Sequence, residues 1–264
     1  MSQIRPINQK HSIKEAVISI FLGAPILKPE RFQQLITSKF KDTFQLFEIL
    51  NHVEFLLKQE NGIMQNLGPQ ISNNMGFKFS AFQNGKLQKV LQGLNESNRT
   101  YMSYHSLDYN RWADFYEDYV TYMAILTEYN PGMFINGISL HYIDEFQWDN
   151  PKIQDLEEIF NKDCDFIAGK IFKSLNTTYV INLEQEKTPG IKFLDRLEIK
   201  IDSYVNPTIS ISHNVTIPFI ELKELHSLMN TREFGETMMS AHLHNKELLK
   251  CVLKTNILNL IHFQ

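Results

Sequence analysis

Cysteine and arginine are scarce in this chain. Its 264 residues include only two cysteines, Cys164 and Cys251, too few for a disulfide framework. Each falls at an apolar position of a helical pattern, where a small hydrophobe fits. A cytoplasmic location, in a reducing compartment, is what this usage implies. The six arginines stand apart, at 5, 31, 99, 111, 196 and 232, so bidentate recognition of phosphate or carboxylate groups lacks a cluster to carry it. Blocks of one charge are missing too. The net charge is −4 with a pI near 6.1, and acids and bases alternate along the chain, which excludes a general nucleic-acid binder.

Long hydrophobic runs are also lacking. The charge-free stretch from Ala16 to Leu27 contains Pro25 and falls well short of the roughly 20 residues a membrane helix needs, so no membrane span is expected. It mimics a signal-peptide core behind Arg5, Lys10 and Lys14, but Glu15 abuts it, and a buried first strand is the reading adopted. A glycine-rich phosphate loop, a nucleophile elbow and a metalloprotease helix motif are absent from the letters, so no cofactor and no metal are predicted.

What is present is ordinary globular material, 43% hydrophobic and 21% charged, which excludes a disordered or fibrous chain. Ile13 to Leu22 reads as a central strand covered on both faces. Pro29 opens a helix with Phe32, Leu35, Ile36 and Phe40 on one stripe. A strand follows from Phe44 to about Lys58, and Asn61 to Gly76, with Gly62, Gly68, Pro69 and Asn73-Asn74, reads as a mobile loop. Asn84-Gly85 marks a hairpin into a strand at Lys86 to Leu94, and Arg99 to Leu107 completes a meander. Asp108 to Tyr129 is an aromatic helix stopped by Asn130-Pro131-Gly132.

Phe134 to Trp148 is strand-like, and Pro151 starts a second amphipathic helix through Ile153, Leu156, Phe160, Cys164, Ile167 and Ile171. Three strands follow. In the second, Leu197, Ile199 and Ile201 face inward against Arg196, Glu198, Lys200 and Asp202 facing out, the mark of a sheet with one wet face. The end is helical, from Glu221 to about Leu243 and again from Lys246 to Ile261. This order predicts an α+β protein of largely antiparallel sheets with helices packed on one face. Two similar-sized halves, 1–150 and 151–264, share a core and pack closely as one unit.

The candidate catalytic residues are His141, Asp144 and Glu145, in the run His141-Tyr142-Ile143-Asp144-Glu145-Phe146. On a strand, His141 and Glu145 point to one face and Tyr142 and Asp144 to the other, so an acid/base pair needs a partner from elsewhere, such as Asp202. The candidate ligand-binding residues are Tyr109, Trp112 and Tyr116, on an aromatic stripe that suits a planar ligand but that core packing explains more simply. His242 and His244 diverge on a helix, and the pair is placed at a break before Asn245 in a capping or surface role. His213 is either a buried, hydrogen-bonded histidine or part of a bulge with Asn214. Asn98-Arg99-Thr100, Asn176-Thr177-Thr178 and Asn214-Val215-Thr216 match glycosylation acceptors, triplets that are frequent by chance.

Ser12-Ile13-Lys14-Glu15-Ala16-Val17-Ile18, Tyr109-x-x-Trp112-x-x-Phe115, Ile138-Ser139-Leu140-His141-Tyr142-Ile143-Asp144, and the closing Leu225-His226 followed by Phe234 resemble landmarks of a sporadically distributed, functionally uncharacterised bacterial protein family of about this length. The family's central strand reads Arg-Tyr-Ile-Asn where this chain has His141-Tyr142-Ile143-Asp144. That departure weakens any role needing a fixed cation there. The resemblance implies a bacterial, cytoplasmic accessory protein, and its patchy distribution is associated with phage defence or toxin–antitoxin systems. The expectation is a non-enzymatic protein with a protein partner or a homo-oligomeric form, held through an exposed sheet edge or the stretch from Asn61 to Gly76. The alternatives are an enzyme with a cleft between the halves and a small-ligand or nucleotide sensor.

Overall fold

The computed structural model describes residues 3–8, 11–60, 63–188 and 191–262, with 3, 52–60, 63–74 and 187–188 described by their backbone. Among the described residues ten strands join in one sheet, and every pairing is antiparallel. They are β1 (Gln3–Pro6), β2 (Ile13–Leu22), β3 (Leu46–Glu60), β4 (Ile63–Gln83), β5 (Lys86–Asn95), β6 (Thr100–Ser106), β7 (Phe134–Asp149), β8 (Thr177–Thr188), β9 (Ile191–Asp202) and β10 (Thr208–Glu224). The order across the sheet is β3-β4-β5-β6-β2-β7-β10-β9-β8, with β1 also paired to β7. The helices are α1 (Pro29–Phe40), α2 (Trp112–Tyr129), α3 (Leu156–Ile159), α4 (Leu225–Met229), α5 (Arg232–Val252) and α6 (Thr255–Leu260). They cover one face, as α+β patterning requires.

Alternation builds the dry face. Ile209, Ile211, His213, Val215 and Ile217 of β10 are buried in phase with Leu197, Ile199 and Ile201 of β9. Two apolar clusters fill the space beneath the helices. One gathers Phe32, Phe77, Tyr104, Tyr119, Leu126 and Phe234. The other gathers Trp148, Phe160, Ile199, Leu248 and Val252.

Several segments depart from the sequence expectation. The stretch read as a loop from Asn61 to Gly76 is the start of β4 from Ile63 onward, paired to β3, while Asn61 and Gly62 lie outside the described residues. Register shifts at Leu50/His52 and Phe55/Leu57 absorb its irregular residues, and Pro69 sits where β4 has a partner on one side only, so its missing N–H breaks no second ladder. β4 leaves β5 at Gly76, whose φ of +146° and whose approach to the Gly93 carbonyl exclude a side chain.

The helix expected from Pro151 to Ile171 is instead a short 3-10 turn at Ile153–Asp155, the single turn α3, and a second 3-10 turn at Gly169–Lys173. The Asn161 side chain accepts from the Asp163 N–H and donates to the Cys251 carbonyl, so an Asx turn stops the helix, while Leu156, Phe160, Cys164, Ile167 and Ile171 stay buried and Ile153 is exposed. Cys164 and Cys251, read as separate hydrophobes, are joined by a disulfide with Cα atoms 5.5 Å apart. β10 runs on to Glu224 where a helix was expected from Glu221, and α5 continues unbroken past Asn245 to Val252. α2 begins at Trp112, not Asp108.

Candidate functional site

β7 crosses the middle of the sheet between β2 and β10, and its alternation splits the predicted catalytic residues between two environments. On the wet face, His141 Nε2 and Ser212 Oγ are hydrogen-bonded at 2.7 Å, and burial, followed by smaller charge effects, holds its imidazole down at about 4. Glu145 accepts a hydrogen bond from Lys14 at 2.7 Å. A neighbouring pair on the same face joins His105 Nδ1 to Glu15 at 2.7 Å, and that hydrogen bond lowers the Glu15 carboxyl below its ordinary range against the opposing effect of burial. On the dry face, Asp144 is buried and accepts from Ser12 Oγ at 2.5 Å. Burial pushes its carboxyl up to about 6, with the Ser12 bond acting against the shift. His141 and Asp144 therefore do not converge, as the spacing predicted.

Asp202 does not supply the missing partner. The strand register sets His141 beside Asn214 and Asn214 beside Arg196, six positions along β9 from Asp202, which accepts instead from the Tyr204 N–H. The residues nominated for chemistry on the wet face are bonded to neighbours within the sheet.

The aromatic candidates are packed against other rings. Tyr109 is buried, edge-on to Tyr142 with centroids 5.7 Å apart. Trp112 stacks on His242 at 4.4 Å and 8° between planes, and on Tyr116 at 5.4 Å. Tyr119 is fully buried, and its hydroxyl has no hydrogen-bond partner among the described residues. The stripe is core, as the simpler explanation held.

The histidines set aside by sequence reasoning lie at the centre of the helix–sheet seam. His242 Nδ1 and the Tyr142 hydroxyl are 3.0 Å apart, and burial, with Lys246 assisting, lowers the His242 imidazole to about 4. His244 diverges from it, as expected, but it is buried and bonded to Asp195 of β9. His213 of β10 reaches the same carboxylate, and its strand register there is unbroken, so the buried reading holds and the bulge does not. Burial alone would raise the Asp195 carboxyl, but hydrogen bonds from the two imidazoles outweigh it and hold the group at about 2. A cavity of about 90 Å³ beside these groups is lined by Ser12, Tyr142, Asp144, His213, His242 and Asn245.

At the sheet's far edge, β4 pairs with β5 only from Gly76 to Gln83, so β3 and residues 63–75 continue as a two-stranded ribbon. At about 3.4 Å per residue this ribbon is on the order of 30 Å long. Before the ribbon begins, the part of β3 that borders the main sheet exposes Leu46 and Ile49. No protein-family model, no curated protein and no solved structure matches the chain.

Proposed function

We propose that the protein is a non-enzymatic cytoplasmic accessory protein that works by association, offering the β3 edge and its ribbon to a strand of another chain, in the simplest case a second copy. The ribbon is the observation that carries this reading. An isolated two-stranded ribbon is marginal in water, and an open edge presents unpaired N–H and C=O groups to any strand that can add to it. Leu46 and Ile49 give that edge exposed apolar side chains on either side of Glu48, whose charge is paired with Lys78. The resemblance to a sporadic bacterial family supports an accessory role in phage defence or a toxin–antitoxin system.

The enzyme reading has less support, because His141 and Glu145 are separated from Asp144 by the thickness of the sheet. A nucleotide sensor at the seam has less as well, since drug-sized ligands occupy pockets of roughly 300–1,000 Å³. Light scattering at micromolar concentrations is expected to show a dimer or larger assembly. Leu46→Lys with Ile49→Lys is expected to abolish it while leaving the thermal midpoint nearly unchanged, as exposed substitutions do. A wild type that stays monomeric and captures no partner from its host overturns the reading, as does association that survives the double substitution.

A further inference from the structure

We infer that Asp195, His213 and His244 form a binding site for a divalent first-row transition-metal ion of the zinc or ferrous-iron class. Two consecutive paired strands and a later helix send one donor each to a single point: β9 a carboxylate, β10 and α5 an imidazole. Asp195 Oδ1 lies 2.9 Å from His213 Nε2 and 2.9 Å from His244 Nε2, with Oδ2 3.0 Å from the latter. All the donor atoms lie within 4.8 Å of one another. An ion about 2.0–2.2 Å from each of its ligands sets those ligands about 3.0–3.5 Å apart, so the cluster needs little adjustment to close around one.

Charge points the same way. The Asp195 side chain is 1% exposed, and a buried carboxylate requires compensation by positive charge. Among the described residues its ion-pair partners are the two histidines, with Gln185 adding a neutral amide at 3.3 Å. As the site stands, each Nε2 donates its proton to the ionised Asp195 carboxylate. An ion in that place requires each ring to take the Nδ1–H tautomer and turn its Nε2 lone pair to the centre, and Nδ1 of both rings, with no hydrogen-bond partner among the described residues, is not held as an acceptor against that change.

Two imidazoles with one carboxylate suit zinc or ferrous iron; calcium and magnesium require oxygen-rich shells that this set does not provide. Phe193, edge-on to His244 at 5.1 Å, dries one side. On the other, His213 lines the small cavity together with Asn245, whose buried Oδ1 also has no partner among the described residues. That cavity leaves room beside the donors for solvent or a further ligand.

The test is metal uptake by the whole purified chain. After stripping with a chelator, cobalt(II) added alone is expected to give a visible absorption band that saturates at about one ion per chain, and zinc is expected to displace it. Asp195→Asn, His213→Ala and His244→Ala are each expected to weaken uptake by about 100-fold or more, beyond the loss typical of an outer-shell partner. His242→Asn, on the same helix but bonded to Tyr142, is expected to bind as the wild type does. Should the three substitutions unfold the chain, the wild-type thermal midpoint decides: zinc raises it and magnesium does not. Absence of a cobalt band, no zinc-specific shift, or uptake that survives all three substitutions overturns the assignment and leaves a hydrogen-bonded staple between helix and sheet.

Discussion

Asp144 and the two histidines His141 and His242 have shifts that oppose each other over the same span of pH. The folded Asp144 titrates at about 6, above its ordinary 3.8, so folding loses stability from it as pH rises through that interval. The two imidazoles titrate at about 4 in the fold, below 6.5, so they take stability away as pH falls from 6.5 toward 4. Two groups oppose one, and urea midpoints are expected to drop on acidification across that window. Asp144→Asn keeps an acceptor for Ser12 and removes the cost of a buried charge. It is expected to raise stability above pH 6 by about 2–3 kcal/mol and to make the acid-side fall steeper. An unchanged midpoint in neutral buffer would refute this. At this scale alternation was legible: it separated His141 and Glu145 from Asp144 correctly. The same alternation, carried two residues back from Leu197, puts Asp195 in the inward phase with His213, but nothing local announces that His244, 49 residues further on, completes the group.

Elements were legible where one period ran without interruption. β2, the Asn84-Gly85 hairpin, α2 and β9 follow their patterns, and Asn84 and Gly85 both take the positive φ that such a turn requires. Helical spacing misled between Pro151 and Ile171, because successive short turns also bury every third or fourth residue. It misled again at Asn245, where contacts to Ala241 and, through His244, to Asp195 carry α5 across residues of weak helix propensity. The Cys164–Cys251 bridge fastens the irregular segment after α3 to the last turn of α5, across a sequence separation of 87. Closing a loop of that length is worth on the order of 4–5 kcal/mol by chain entropy. Cys251→Ser, or dithiothreitol added to the wild type, is therefore expected to lower the denaturant midpoint markedly under air-oxidised conditions, and reductant is expected to have no further effect on the variant. In a reducing cytoplasm the pair would stand as thiols, and the protein would work from the less stable of the two states.

At the scale of the molecule, one sheet runs from β3 to β8, and strands from the early and late parts of the sequence are neighbours at its centre. β2 and β10 flank β7, and the cluster under α1 and α2 draws Phe193, Val215, Ile217, Leu225 and Phe234 from the later part of the sequence. A fragment of residues 1–150 would leave β7 without β10 and that cluster without these side chains. It is expected to show no cooperative unfolding transition by calorimetry, whereas the whole chain is expected to show a single one. A fragment that melts cooperatively would contradict this. The class of fold, antiparallel with helices on one side, followed from one-sided alternation. The strand order did not, because which strands become neighbours is decided by pairings across more than a hundred residues, such as β2 with β7.

The ribbon bears on how such a chain can diverge. Past Gly76 its strands hydrogen-bond to each other and to no other described strand. Lengthening or shortening both by the same even number of residues keeps which side chain looks which way and leaves the main body as it is. The reach of the ribbon is thereby uncoupled from the folding of the main body.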